Sequence, residues 1–251
     1  MNKVILLGAI FFIMIGCEGK SNVIVKIPEA SGICFSKMSQ TLFVANDEGK
    51  VFEISKEGKI LRKKRLGKYD LEGVACDDAK GELLFAVEGK DNILVVGKKN
   101  LKIKNNIKIK RVYHDKIILK KDRKSHGIEG IAIVGDFLYI SNQSNKFFPK
   151  KDPSLIIKVA KNAKKKVTIL ELLEHGYKDV SGLTYHDKYL FMVSDSKNLL
   201  IKYSLEEKRV IGTAKLPKFA QEGVAFDDEG YIYFANDKGS VYKYKREKFG
   251  L

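Results

Sequence analysis

Glu222-Gly223-Val224-Ala225-Phe226 is the clearest copy of a short phrase that occurs five times in this 251-residue chain. Three copies begin with Glu-Gly and two with Ser-Gly, and an apolar run follows in each. Successive copies are separated by 41, 57, 52 and 41 residues. Periods of this size are typical of a stacked or circular array of one supersecondary unit. The other four copies begin at Ser31, Glu72, Glu129 and Ser181.

Strand patterns follow each copy of the phrase. Runs such as 42–46 and 232–236 are rich in β-branched and aromatic residues and are bounded by Asp and Gly turn formers. A third run, as at 240–244, alternates apolar and polar residues, and a charged fourth run occupies 59–66 in the first unit. Four antiparallel strands per repeat predict an all-β fold, a five-bladed β-propeller, with six blades as the alternative.

The two ends of the chain are complementary. The last unit, 222–251, has room for three strands only, and the segment Val23 to Ile27 supplies one more at the other end. An N-terminal strand that pairs near 240–246 would close the ring and leave no open sheet edge. We therefore predict one propeller domain over residues 23–251.

The first residues predict export rather than folding. Lys3 precedes an apolar run that is too short to span a bilayer, and the run ends at Gly16-Cys17. The ending Met14-Ile15-Gly16-Cys17 resembles a bacterial lipobox. It predicts a signal peptide over 1–17, a lipidated Cys17 and a tether over 18–22. The alternative is ordinary secretion with a free Cys17.

Positive charge is concentrated in one stretch. The chain has a formal net charge of +16, and twelve Lys or Arg against two Asp lie between residues 98 and 124. The alternation over 101–110 predicts a β-hairpin around Asn105-Asn106 with one basic face. The hypothesis is a surface for anionic lipid or an envelope polymer, and the alternative is a solvated outer strand. The residues of this basic surface are Lys102, Lys104, Lys108, Lys110 and Arg111.

Cys34 and Cys76 occupy positions that differ by one when the repeats are aligned. Strand parity then points their side chains to opposite faces. We expect two buried thiols and no disulfide between them.

Glu72, Glu129 and Glu222 open equivalent strands that should line the central channel. Their carboxylates are expected to converge at one mouth, where protonation, a cation or partner donors must neutralise them. An oxygen-rich surrounding of this kind suits Ca²⁺. Alternatively, each Glu accepts backbone N–H bonds in the turn that enters its strand. The expected channel neighbours on the second strands are Asn46, Glu88, Asn142 and Asn236.

The sequence carries no further catalytic signature. Four histidines are scattered without metal-ligand spacing, and no nucleophile elbow or phosphate loop is present. We predict no catalytic residues. Nucleic acid is not expected as a partner, because no recognition motif accompanies the charge of this exported chain.

The phrases at 69–75, 128–132, 180–185 and 221–230 resemble those of the SdiA-regulated (YjiK-like) family of bacterial envelope propellers. The resemblance covers nearly all of the chain from about residue 23 to 250. It implies a β-propeller on a cell-envelope protein and a bound Ca²⁺ in the channel. It implies no reaction.

Together these patterns favour a non-enzymatic binding or scaffold lipoprotein, held by lipid on a membrane of the bacterial envelope, with a structural cation at its channel mouth. The alternative is a Ca²⁺-dependent hydrolase of the lactonase or phytase type, a fold-level analogy.

Overall fold

The computed structural model describes residues 22–114, 116–117, 127–150 and 152–250. The predicted signal peptide, Cys17 and nearly all of the predicted tether therefore lie outside the described residues. The described part is built from β-strands, with one short 3₁₀ helix at Arg246–Phe249. None of its helices is long and apolar enough to cross a membrane.

Antiparallel four-strand units account for most of the strands. The first unit contains β2 (Ala30–Ser36), β3 (Thr41–Asn46), β4 (Lys50–Ile54) and β5 (Ile60–Arg65). The second contains β6 (Leu71–Asp77), β7 (Glu82–Val87), β8 (Asn92–Gly97) and β9 (Ile103–Lys110). A small hairpin, β10 (Val112–Tyr113) and β11 (Lys116–Ile117), follows.

The second half of the chain repeats this order. The third unit contains β12 (Gly127–Val134), β13 (Phe137–Gln143), β14 (Leu155–Ala160) and β15 (Lys166–Leu173). The fourth contains β16 (Val180–His186), β17 (Tyr189–Ser194), β18 (Leu199–Ser204) and β19 (Arg209–Lys215). The last contains β20 (Gln221–Phe226), β21 (Tyr231–Asn236), β22 (Ser240–Lys245) and β1 (Val23–Val25).

The N-terminal strand pairs with the C-terminal unit, as the strand count predicted. β1 lies antiparallel to β22, with Val23 opposite Tyr242 and Val25 opposite Val241. Just after β1, Ile27 is fully buried and donates its backbone N–H to the carbonyl oxygen of Gly239. The predicted pairing is therefore confirmed.

Glycines bring the first strands of the units together around a central axis. A Cβ added at Gly32 would lie 2.3 Å from the carbonyl oxygen of Glu72, and one at Gly73 would lie 2.6 Å from that of Glu129. Equivalent contacts continue through Gly130, Gly182 and Gly223, and Gly223 returns to Gly32. The Gly of the repeated phrase is therefore required for the close approach of neighbouring backbones.

Each first strand carries a β-bulge at the repeated phrase. On β6 the register shifts between Leu71 and Val74, so that Glu72 and Gly73 together oppose Ala86 alone. The same irregularity occurs at the start of β2, β12, β16 and β20. Because a bulge re-aims the side chain that it carries, it decides where the Glu or Ser before each Gly points.

Apolar clusters fill the spaces between neighbouring units. The cluster between the first two units contains Phe43 and Val51 from one side and Leu71, Phe85 and others from the other. Corresponding clusters occupy the other four spaces among the described residues. The sheets therefore pack face to face, as in a propeller, and the aromatic residues of the strands supply much of this packing.

The expectation of two free thiols at Cys34 and Cys76 is wrong. The two residues form a disulfide with an S–S distance of 2.08 Å and a Cα–Cα distance of 5.8 Å. Neighbouring units stack front to back, so the back of one sheet meets the front of the next. Side chains of opposite parity on equivalent strands therefore face each other, which is the arrangement that the offset between the two cysteines provides.

The expected hairpin at 101–110 is also wrong. Asn105 and Asn106 lie within the single strand β9, opposite Val95 and Leu94 of β8. The outer edge of β9 pairs in parallel with β15, and this pairing joins the second and third units into one eight-stranded sheet. Pairing with β8 holds the Asn-Asn segment extended and overrides its local preference for a turn.

Candidate metal centre

The bulges place two of the predicted glutamates side by side. One carboxylate oxygen each from Glu72, Glu88 and Glu129 lie within 4.8 Å of one another. Glu72 and Glu129 are buried, with 9% and 5% of their surface exposed. Two ionised carboxylates at this distance repel each other, so their proximity favours a proton or a cation between them.

Burial and mutual repulsion set the protonation of this pair. Removal from water raises the pKa of Glu72 and that of Glu129 well above the ordinary value. For Glu129, the charges of Glu72, Glu222 and Glu88 raise the pKa further. A bound cation would reverse this effect, since it favours the ionised form of every carboxylate around it.

A second group of acids continues from Glu72 along the same mouth. Oxygens of Asp47, Asp70 and Glu72 approach within 4.8 Å of one another, and so do those of Glu29, Asp47 and Asp237. Burial raises the pKa of Asp47 to about 7, and Asp70, Asp237 and Glu29 raise it further by repulsion. The carboxylates thus form a continuous chain, because Asp47 and Glu72 each belong to two of the three groups.

One oxygen in this chain is buried and lacks a partner. The Oδ1 atom of Asp47 has no hydrogen-bond partner among the described residues. The Ser31 hydroxyl lies near the Asp47 carboxylate, but it is also 2.5 Å from the carbonyl oxygen of Leu71, to which it donates. A buried acceptor without a donor is costly, and a cation is one group that would satisfy it.

Glu222 lies near this chain without joining its ligand groups. Burial raises the pKa of Glu222 to about 8, and the charges of Asp195, Asp237 and Asp179 raise it further. Its oxygens belong to none of the three groups formed by described residues. The structure therefore places Glu72 and Glu129 together and sets Glu222 beside them within electrostatic range.

The amides expected as channel neighbours are engaged elsewhere. Asn46 donates its side-chain N–H to the carbonyl oxygen of Pro28 at 2.6 Å, and Asn142 donates to Pro153 at 2.8 Å and to Asp152 at 3.0 Å. The Asn236 side chain accepts from the backbone N–H of Lys238 at 2.6 Å. These amides hold the turns at the ends of their strands. Of the four expected neighbours, only Glu88 lies among the glutamates.

Backbone capping does not account for the glutamates in the described part of the chain. No backbone N–H there donates to the side chain of Glu72, Glu129 or Glu222. At the third copy of the phrase, the N–H of Gly130 donates instead to Ser141 Oγ at 2.8 Å. Within the same part of the chain, no ion pair joins any of the three glutamates to Lys or Arg.

Four acids of the chain were not among the predicted site residues: Glu29, Asp47, Asp70 and Asp237. Asp70 stands two positions before Glu72, just ahead of the bulge, and Glu29 stands two positions before Ser31. Spacing from the repeated phrase was the available signal. It could not reveal that the turn after β3 brings Asp47 between them.

Arg111 does not belong to the basic surface predicted for it. Its guanidinium makes two bonds to Asp91, of 2.6 and 2.8 Å, and a further contact of 3.2 Å to Asp152. It also donates to the Asn142 side-chain oxygen at 3.0 Å, and only 11% of its side chain is exposed. Arg111 thus links the second unit to the third, while Lys102, Lys104, Lys108 and Lys110 are exposed as expected.

Comparison with known families shows which family the chain belongs to. The family described as SdiA-regulated matches over residues 20–245, which is most of the sequence. The chain belongs to this family. The resemblance stated from the repeated phrases is therefore confirmed. None of the curated proteins matches the sequence.

Solved structures share the fold at low identity. The crystal structure of Myxococcus xanthus glutaminyl cyclase superposes with a TM-score of 0.65 at 12% identity, covering 88% of this chain and 94% of that one. A streptogramin B lyase structure gives a TM-score of 0.50 at 12% identity, covering 88% of this chain and 70% of that one. At this identity the likeness shows an all-β, propeller-like fold and nothing about activity.

Proposed function

We propose that this SdiA-regulated family member is a five-bladed propeller that holds Ca²⁺ at its acidic mouth. It would act as a non-enzymatic binding or scaffold module on a membrane of the bacterial envelope. The observation that carries the proposal is the chain of carboxylates from buried Glu129 and Glu72 to Asp237 at the surface, in which neither Glu72 nor Glu129 is ion-paired with a described Lys or Arg.

The five-blade count rests on the ring of glycines and on the four-strand units. Each of the five bulged strands begins one unit, and each packs through its Gly against the next around a closed circle. In the last unit, β1 supplies the fourth strand. The parallel pairing of β9 with β15 joins two blades at their outer edges and leaves the ring order unchanged.

The donor set favours Ca²⁺ among the common metals. All three candidate groups contain only carboxylates, and no histidine or cysteine joins them in the described part of the chain. Hard cations take oxygen ligands, and Ca²⁺ accepts six to eight of them in irregular geometry. The unpartnered Oδ1 of Asp47 offers one further ligand atom. Zn²⁺, by contrast, is usually held by imidazole or thiolate.

The hydrolase alternative has less support. A histidine base beside the metal would favour it, and the candidate ligand groups in the described residues contain no imidazole. The glutaminyl cyclase and the lyase resemble this chain in fold only, at 12% identity. We therefore assign the cation a structural role, in which it neutralises and orders the channel mouth.

Calorimetric titration with Ca²⁺ tests the proposal. We expect binding by the wild-type protein and marked weakening in Glu129→Gln, because the variant removes a central charged ligand. The matched control is Glu206→Gln on an exposed turn. At a hundredfold excess over Kd, Ca²⁺ should add about 2.7 kcal/mol to the free energy of unfolding, so chelator should lower Tm. Absence of binding together with a Tm that chelator leaves unchanged would contradict the metal centre.

The membrane anchor is proposed on the sequence alone. A lipidated Cys17 would leave the tether 18–22 before β1, which spans at most about 18 Å. The propeller would then lie close to its membrane. Cys17→Ala should abolish both lipid labelling and cleavage at this site. Wild-type protein found soluble with an unmodified Cys17 would contradict the anchor.

A further inference from the structure

The lysine-rich outer strand β9 meets the outer strand β15, which follows Lys164 and Lys165 and begins at Lys166, edge to edge on one side of the ring. β9 and β15 run parallel over three residue pairs, with Lys108 opposite Lys166 and Lys110 opposite Thr168. The backbone N–H of Lys108 donates to the carbonyl oxygen of Lys165 at 2.9 Å, and Asn105 donates its side-chain N–H to Lys164. We call this junction of β9 and β15 the basic seam.

The two faces of the seam differ in chemistry. Ile107, Ile109, Val167 and Ile169 are buried in the core between the second and third units. Side chains of the other parity are exposed, including Lys108, Lys110 and Lys166. The backbone pairing therefore fixes a row of ammonium groups on the outer face, with about 7 Å between alternate residues along a strand.

The charge of this row is not neutralised within the described chain. Lys104 pairs with Glu82 at 2.9 Å, but six lysines of the region form no ion pair with a described residue. Like charges directly opposite on paired strands destabilise a sheet, so the Lys108–Lys166 pair has a cost. The six are Lys102, Lys108, Lys110, Lys164, Lys165 and Lys166.

Edge protection does not explain these lysines well. Lysine on a free outer strand prevents edge-to-edge association. Here Lys108, Lys110 and Lys166 lie where the C-terminal end of β9 and the N-terminal end of β15 already cover each other. The repulsion between these lysines is therefore not needed to protect the sheet edge. It points to an external partner that supplies negative charge.

We propose that the basic seam binds a linear, phosphate-bearing polymer of the envelope. Lysine ammonium groups bind phosphate as compact point charges, without the fixed bidentate geometry by which arginine recognises carboxylate and phosphate. Arg111, the guanidinium nearest in sequence, is turned inward to Asp91. Lys108, Lys110 and Lys166 are held together on paired extended strands, and this arrangement matches a repeating anion better than a single small one.

The position of β1 favours a polymer over the protein's own membrane. The ring places the second and third units next to each other and the last unit across from them. β1 is the outermost strand of that last unit. The start of the described chain therefore lies on the side of the ring opposite the basic seam. With the anchor and ring proposed above, the seam points away from the anchoring membrane.

Polyphosphate binding by the full chain tests the inference. The protein is reconstituted in vesicles of zwitterionic lipid and titrated with long-chain inorganic polyphosphate. The seam variant combines Lys108→Gln, Lys110→Gln and Lys166→Gln. The control combines Lys197→Gln, Lys215→Gln and Lys218→Gln, which removes the same charge from exposed lysines of the fourth unit. We expect the seam variant to bind polyphosphate roughly tenfold more weakly or worse, since each lysine near an anionic surface adds to the electrostatic binding free energy.

The control should bind almost as the wild type does. Equal weakening in both variants would mean that net charge alone attracts polyphosphate, and unchanged binding in the seam variant would mean that the seam is not the site. Either result overturns the inference.

A second measurement separates polymer from membrane. Amine acetylation of Lys108 and Lys166 should be slowed by polyphosphate but not by replacing the zwitterionic lipid with anionic phospholipid. Protection by the anionic vesicles alone would overturn the inference and make the membrane the partner. Loss of the Ca²⁺ site would leave these results unchanged, so the two proposals fail independently.

Discussion

Gly73 stands where two inner strands come closest, and its neighbour Glu72 stands in the candidate metal centre. A Cβ at Gly73 would lie 2.6 Å from the carbonyl oxygen of Glu129 and 2.8 Å from Gly130 Cα. Both are backbone atoms, so neither can move aside without shifting a strand. The same close contact that requires glycine also brings the carboxyl groups of Glu72 and Glu129 together. The fold and the site therefore depend on the same residue.

Gly73→Ala should destabilise the protein by about 1–3 kcal/mol, the usual cost of overpacking a filled interior. The control is Gly97→Ala on β8, where the added Cβ would meet the flexible side chains of Asn100 and Lys104. Urea unfolding followed by circular dichroism measures both variants. If the two lose the same stability, the close approach of the inner strands is not what requires glycine at position 73.

The strands of each unit were predictable because alternation and turn residues act locally. The contact between Cys34 and Cys76 was not predictable, since it depends on how one sheet stacks on the next. The course of β9 was not predictable from Asn105-Asn106 either, because pairing with β8 outweighed the local turn preference. Repeat spacing located Glu72 and Glu129, but only the bulges and the turn after β3 add Asp47 to the same chain of acids.

The segment after β1 should be as important as any core strand, although it lies near the start of the described chain. Ile27 is fully buried against the first and last units. Ile27→Ala should therefore cost about 2–5 kcal/mol, as for other large-to-small changes in a core. Ile103→Ala, at a side chain that is 40% exposed, serves as the control and should cost much less. Thermal unfolding measures both, and equal changes in Tm would contradict closure by the N-terminal segment.

Across the whole molecule, the acidic mouth couples stability to pH. The pKa of Glu222 is raised from 4.5 to about 8 and that of Asp47 from 3.8 to about 7 in the folded chain, chiefly by burial. Between the ordinary and the raised values, the folded state binds more protons than the unfolded state. These groups therefore contribute stability that is fully present below the ordinary pKa and is lost as pH rises through the raised one.

His175 acts in the opposite direction at lower pH. Burial lowers its pKa from 6.5 to about 4. The folded state favours the neutral imidazole, so the contribution of His175 to stability is present above pH 6.5 and is lost as pH falls through 4. The metal-free protein should consequently be most stable in mildly acidic solution, where His175 costs little and the carboxyl groups of the mouth still hold their protons.

In the metal-free protein, Glu222→Gln should reduce the fall in Tm between pH 6 and about 8, because the amide cannot ionise. At this chain length each kcal/mol of unfolding free energy changes Tm by about 2–4 °C. Glu206→Gln on the exposed turn should follow the wild-type profile. Ca²⁺ requires ionised ligands and should release protons when it binds, so the Tm gain from Ca²⁺ should grow over the same pH range. Thermal unfolding at a series of pH values, with chelator or with Ca²⁺, measures both effects. A wild-type Tm that does not fall toward pH 8 in chelator would mean that the buried carboxyl groups are neutralised by something other than their own protons.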